Sequence, residues 1–141
     1  MDESLARFLQ AQEYTYEVAL QEIRAGCKYS HWMWYVFPIL WGLGHSEMAR
    51  LYGLRGADEA KAFIHHPVLG KRLVEITQAL LHLDGLTAEQ IFGSTDAWKL
   101  QCCMTLFQIV APEEKVFGQV LDKYYQGQHE YRTLNILGKG K

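Results

Sequence analysis

The segment Ser94–Val110 constrains this chain more than any other. Stepping about 100° per residue, Gln101, Thr105 and Gln108 share one narrow polar wedge, and apart from Asp96 and Lys99 the rest of the helix body is apolar. A helix apolar around most of its circumference must be covered on nearly every side. It belongs at the centre of a helical assembly, and the remaining elements have to pack around it.

The second constraint is Ser30–Gly44, SHWMWYVFPILWGLG, which holds three of the four tryptophans together with His31, Tyr35, Phe37 and Pro38. Its residues are strand formers, and the pattern alone would pass for a buried strand. No second convincing strand occurs elsewhere, however, and a lone strand leaves its backbone groups unpaired. The stretch is therefore read as a short helix, His31–Val36, capped by Ser30. Pro38 pushes Phe37 out of the helical region and ends it.

The flanking elements follow from periodicity and caps. Leu5 to Ile23 reads as two helices with a joint at Glu13–Thr15, Thr15 capping the second and Gly26 stopping it. Gly42 and Gly44 make a turn, Ser46 and Glu47 open a helix to Leu54, and Asp58–His65 forms another. Pro67 begins a helix whose buried face is Leu69, Leu73, Ile76, Leu80 and Leu83. Thr87 and Gln90 have capping-box spacing before Gly93. Pro112 opens a helix through Tyr124, Gly127 closes it, and a last short helix holds Leu134–Leu137. The expectation is an all-α, single compact domain of about seven to nine short helices around a central apolar helix. It spans 1–141, with a core at 5–137 and a frayed tail from Gly138.

Composition narrows the function classes. Of 141 residues, 49% are hydrophobic and 21% charged, which is a packed domain rather than a disordered one. A net charge of −2 supplies no basic face for general nucleic-acid binding. No apolar run reaches the roughly 18 residues of a membrane span, and the acidic, amphipathic start MDESLARF is unlike a signal peptide, so a cytoplasmic location is expected. Three cysteines, an odd number, argue against a disulfide framework. Adjacent Cys102 and Cys103 read as small core residues.

Two places carry candidate chemistry. Asp96 and Lys99 share the face of Cys103, Leu106 and Val110, opposite the polar wedge, and charges on an apolar face must be paired, hydrated or at a cavity edge. The plain alternative is an acid in the first turn of a helix paired at i, i+3. His31, flanked by Trp32 and Trp34, has an imidazole suited to acid, base or donor roles, or to a hydrogen bond within the core. Trp32, Trp34, Tyr35, Phe37 and Trp41 are mainly core, with one or two free to stack on a flat ligand. His65 and His66 are adjacent and point apart, so no metal site is expected, and no cofactor. Gly42-x-Gly44 is only a turn.

The same stretches resemble the small bacterial domain-of-unknown-function 1810 family. The likeness rests on Ser30-His31-Trp32-Met33-Trp34, Phe37-Pro38, Gly42-Leu43-Gly44, Ser46, Tyr52 and Glu59-Ala60. It continues through His66-Pro67-Val68-Leu69-Gly70, Arg72-Leu73, Phe92-Gly93, Asp96, Lys99-Leu100 and Met104-Thr105-Leu106-Phe107. The resemblance implies an all-α single domain and no particular reaction. Ile39 stands where that pattern has Gln, and Cys102 and Cys103 where it has small hydroxyl residues.

Two functions are consistent with these residues. One is a small-molecule site of nucleotide or ADP-ribose type, with His31, Trp32, Trp34, Tyr35, Asp96, Lys99 and Thr105 as its ligand-binding residues. The other is a non-enzymatic interaction or self-associating module that uses the aromatic patch. Neither names a catalytic residue.

Overall fold

The computed structural model describes residues 3–138. A 3₁₀ turn, Glu3–Leu5, leads into α1 (Ala6–Gln12) and α2 (Tyr16–Arg24). There follow α3 (Met33–Val36), α4 (Glu47–Tyr52), α5 (Ala57–His65), α6 (Leu69–Leu81), α7 (Ala88–Phe92) and α8 (Ser94–Val110). α9 (Val116–Tyr125) and α10 (Tyr131–Ile136) complete the chain. The fold is all-α, and among the described residues the one β pairing is an isolated parallel bridge, Leu40 to Leu54.

Among the described residues ten α-helices exceed the seven to nine expected from sequence. Short elements among them are held by strong caps. Thr87 and Gln90 form a complete capping box that sustains the five residues of α7. Glu130 caps α10 by accepting from the backbone N–H groups of Arg132 and Thr133, so this helix starts at Tyr131 rather than Leu134.

α8 is the hub, packed by α5, α7, α9 and α10. Leu100, Cys102, Cys103, Met104, Leu106 and Phe107 are fully buried on it. Rings from four helices meet in series: Phe8–Phe63 at 5.0 Å, Phe63–Phe107 at 5.8 Å and Phe107–Phe117 at 5.6 Å between centroids. Such pairs add cohesion beyond the area they bury.

The polar wedge of α8 turns inward to the chain rather than out to water. Gln101 Nε2 donates to the Gln128 carbonyl (3.0 Å), Thr105 Oγ1 accepts from the Glu130 N–H (2.8 Å), and Gln108 Oε1 meets His129 Nε2. Three side chains at helical spacing thus hold three consecutive residues of an extended segment. The Glu130 carboxylate, itself buried, also accepts from the Thr133 hydroxyl at 2.7 Å and the Trp98 indole at 3.3 Å. Burial disfavours its charge, but these donors outweigh burial and hold the carboxyl below the usual glutamate range.

Several helix ends differ from the sequence expectation. Thr15 makes no cap bond to α2; its hydroxyl turns back to the Ala11 carbonyl at 2.6 Å. Trp32, not Ser30, occupies the cap position of α3, because the Ser30 hydroxyl is engaged elsewhere. α4 stops at Tyr52, since Gly53 turns so closely that an added Cβ would lie 2.7 Å from Trp41 Cα. Leu54 then donates to the Ile39 carbonyl instead of continuing the helix. Pro112 begins a turn, and α9 starts only at Val116. Phe37 leaves the helical region at φ −118°, ψ 74° ahead of Pro38, as expected.

These roles separate by substitution. Phe107→Ala should cost about 3–5 kcal/mol for the cavity it leaves. Thr105→Val orphans a buried N–H and should cost about 1–3 kcal/mol. Gln101→Ala, losing a bond at the surface, should cost no more than about 1 kcal/mol. Urea melts that ranked the three alike would contradict this placement of the α8 faces.

Candidate functional site

The site begins with Glu22 on α2. Its Oε1 accepts from the backbone N–H groups of Tyr29 (2.9 Å) and Ser30 (3.0 Å) and from the Trp32 indole (2.9 Å). Its Oε2 accepts from the Ser30 hydroxyl at 2.6 Å. One carboxylate therefore folds the segment between α2 and α3. Burial opposes its ionisation, yet these donors overcome that and bring it from 4.5 down to about 2. The Lys28 N–H, bonded to the Ile91 carbonyl at 2.8 Å, ties the same segment to the end of α7.

That placement brings Lys28 to the start of α8. Lys28 Nζ donates to the Ser30 carbonyl at 2.6 Å and pairs with Asp96 Oδ2 at 2.8 Å, and it lies 5.0 Å from the Trp32 ring centroid. Lys99 Nζ is 3.4 Å from Asp96 Oδ1 and 3.7 Å from the centroid of Trp34. Two ammonium groups thus share one carboxylate, and each lies against an indole face, where cations are favoured. Side-chain exposures of 8% for Lys28, 18% for Asp96 and 13% for Lys99 put the cluster at the rim, neither in bulk water nor sealed in the core. These three groups sum to one positive charge, and the ionised Glu22 carboxylate, bonded to the same loop, offsets it across the wider site.

Trp34 is half-buried. Its edge abuts Gly44, where an added Cβ would lie 3.4 Å from Trp34 Cη2 and 3.0 Å from Ala49 Cβ. Trp32 is buried and supports the cluster from below. His31 is exposed, and among the described residues no hydrogen bond or ion pair joins its imidazole to Asp96 or Lys99. Tyr35 is buried, its ring 5.2 Å from Tyr52, its hydroxyl donating to the His31 carbonyl at 3.3 Å and its own carbonyl accepting from Gln12 Nε2 at 2.7 Å. Thr105, committed to Glu130, lies apart from the cluster. The structure therefore brings Trp32, Trp34, Asp96 and Lys99 together, with Lys28 added, and leaves Tyr35 and Thr105 out.

Sequence reasoning missed Lys28 and Glu22. Lys99 at i, i+3 already accounted for the Asp96 charge, so nothing local called for a second cation. The available signal was the order Lys28-Tyr29-Ser30 directly before the aromatic stretch. Concavities of about 570, 340, 510 and 430 Å³ open elsewhere, and none of these four is lined by the residues expected at a site.

Other expectations resolve as structure. His66 Nδ1 accepts from the N–H groups of Val68 (3.1 Å) and Leu69 (3.2 Å), closing the start of α6. Burial and the Glu130 charge push the Cys102 thiol up, and burial raises Cys103 as well, so both stay protonated. Ile39 is buried and its carbonyl accepts from Leu54. No helix among the described residues is long and apolar enough to cross a membrane.

A single all-α domain with a lysine–carboxylate–lysine rim against two indoles defines the class of molecule. The chain belongs to the DUF1810 family of proteins of unknown function, whose model matches residues 2–137. A solved structure, that of the conserved hypothetical protein Rv1873 from Mycobacterium tuberculosis, is similar at 42% identity. The match covers 95% of this chain and 96% of that one, with a TM-score of 0.93. No curated protein matches the chain.

The role of Glu22 is open to a pH test. Its folded value is depressed, so its stabilisation is present above the unfolded value and lost as pH falls through the folded one. Glu22→Gln should therefore be destabilising at neutral pH, and its deficit should shrink between pH 4.5 and about 2. A deficit constant over that range in thermal melts would mean that the charge of Glu22 is not what holds the segment.

Proposed function

We propose that the protein is a recognition module for a flat, anionic small molecule of the nucleotide or ADP-ribose class, bound at the corner of Lys28, Trp34, Asp96 and Lys99. One observation carries the reading: two lysines share the single Asp96 carboxylate at a partly exposed rim, with the longer-bonded ammonium, Lys99, over a half-buried indole. Tyr29, 77% exposed, and His31, also exposed, flank the lysine and the tryptophans in the sequence. Phosphate oxygens suit the ammonium groups, and an aromatic ring suits the flat side chains.

Lys99→Met separates binding from scaffolding. Asp96 keeps its 2.8 Å partner Lys28 and the methionine still covers Trp34, so stability should change by less than about 1 kcal/mol. In a thermal-shift and calorimetry screen over nucleotides and nucleotide sugars, the wild type should be stabilised by an ADP-ribose-class ligand and Lys99→Met should not. His31→Ala should weaken the same ligand without lowering stability. Equal binding by all three proteins would remove this reading.

A second reading, a protein-contact module, is favoured by Trp41, which is 45% exposed with the Arg55 guanidinium 4.9 Å from its centroid. Aromatic and arginine side chains together are typical anchors of interfaces. If this surface joins two copies, sedimentation should give a dimer for the wild type and a monomer for Trp41→Ser. A wild type that stays monomeric at high concentration would oppose self-association.

A further inference from the structure

We infer that Asp96 holds the place of the ligand's anionic group, so that a phosphate-bearing ligand binds by displacing the Asp96 carboxylate from Lys28 and Lys99. The inference rests on the ligand-binding reading above and adds its mechanism. Asp96 presents two oxygens to two ammonium groups, Oδ2 to Lys28 at 2.8 Å and Oδ1 to Lys99 at 3.4 Å. Two oxygens of a phosphate group would meet the same pair in the same way.

Donor counting shows where an anion would enter. Of the three N–H donors of Lys28, one serves the Ser30 carbonyl and one Asp96, while the ammonium rests against the Trp32 ring. Among the described residues Lys99 has the longer contact to Asp96 and its indole face, which leaves donors for a second acceptor. Asp96 is the most exposed of the three. Its carboxylate swings on two single bonds, whereas Lys28 is anchored by the loop that Glu22 folds. A displaced Asp96 also has a refuge. Gly93 provides no side-chain cap for α8, and the first N–H groups of a helix lack intrahelical acceptors.

A purely structural Asp96 predicts the opposite. Its removal would leave two unpaired lysines and a less stable protein, and the wild type would bind no anion at that pair. The two cases differ in anion binding, which calorimetry reads directly, with inorganic pyrophosphate and ADP-ribose as probes. Asp96→Asn should bind pyrophosphate about tenfold more tightly than the wild type, because the competing charge is gone. Adding Lys99→Met to that variant should abolish the gain. Glu113→Gln, which removes a surface charge elsewhere, should leave affinity unchanged. Asp96→Ser serves as a second variant with the same expectation.

Unchanged or weaker pyrophosphate binding by the Asp96 variants would overturn the inference. ADP-ribose binding equally well to the wild type and the variants would overturn it too, while leaving the ligand-binding reading intact. Tighter pyrophosphate binding without any preference for ADP-ribose would uphold the inference and remove the nucleotide reading. Should neither Asp96 variant fold, pyrophosphate titrated into the wild type must shift the backbone amide resonances of Lys28 and of Ser94–Lys99. An unmoved spectrum at saturating pyrophosphate would overturn the inference.

Discussion

Everything in this fold depends on the burial of α8 around most of its circumference. A helix with Leu100, Cys102, Cys103, Met104, Leu106 and Phe107 all inaccessible needs neighbours on several sides at once. Short helices supply them: α5, α7, α9 and α10 each cover part of it. Isolated helices of five or six residues are unstable in water, so α7 and α10 exist through that contact and through their caps. Nucleation is costly, and capping by Thr87 with Gln90, or by Glu130, lowers it where packing area alone is small.

Polar groups on such a helix are tolerated only where a partner is guaranteed, and α8 meets this condition in two ways. The wedge of Gln101, Thr105 and Gln108 is neutral and bonds to the backbone of Gln128 and Glu130 and to the ring of His129. Neutral groups matched in this way are a static solution: every bond is intramolecular, and removing the one at Thr105 leaves a buried N–H orphaned. Asp96 and Lys99 are charged, at the rim, and answered by a third charge from another element. One carboxylate cannot fill the donors of two ammonium groups, so this second solution leaves hydrogen-bonding capacity open that the wedge does not. The difference between the two polar faces of one helix is why the functional reading rests on the first turns of α8 and not on Thr105.

The local physics of this chain was legible in its sequence. The capping box of Thr87 and Gln90 and the exit at Phe37 before Pro38 each depend on residues within three positions of one another, and the all-round apolar pattern of α8 lies in one continuous stretch. Polar side chains whose partners are distant were not legible. A hydroxyl before a helix usually caps it, which is what Ser30 suggests, but its hydrogen bond goes to Glu22, eight residues earlier. Thr15 suggests the same and bonds back to Ala11 instead. The wedge was visible as a wedge, yet nothing in a helical wheel indicates that an extended segment some 25 residues later will dock on it. His66 hid its role for a related reason: an imidazole capping a helix has no motif as recognisable as Ser or Asp.

The segment Lys28–Trp34 divides accordingly into groups that are spent and groups that are free. Ser30 and the Trp32 indole are consumed by Glu22, and Met33 is core. What this leaves facing outward is Tyr29, His31 and part of Trp34, beside the ammonium groups of Lys28 and Lys99. The family likeness is carried largely by this segment, but most of its specificity is needed to fold the loop rather than to touch a ligand. Loss of binding after changing Ser30 or Trp32 would therefore say little about contact, because either change first releases the loop from Glu22. Lys99, Asp96 and His31 are the informative positions: Lys99 and Asp96 sit at the charged rim and His31 is exposed, and none of the three is among the donors to Glu22 that hold the loop.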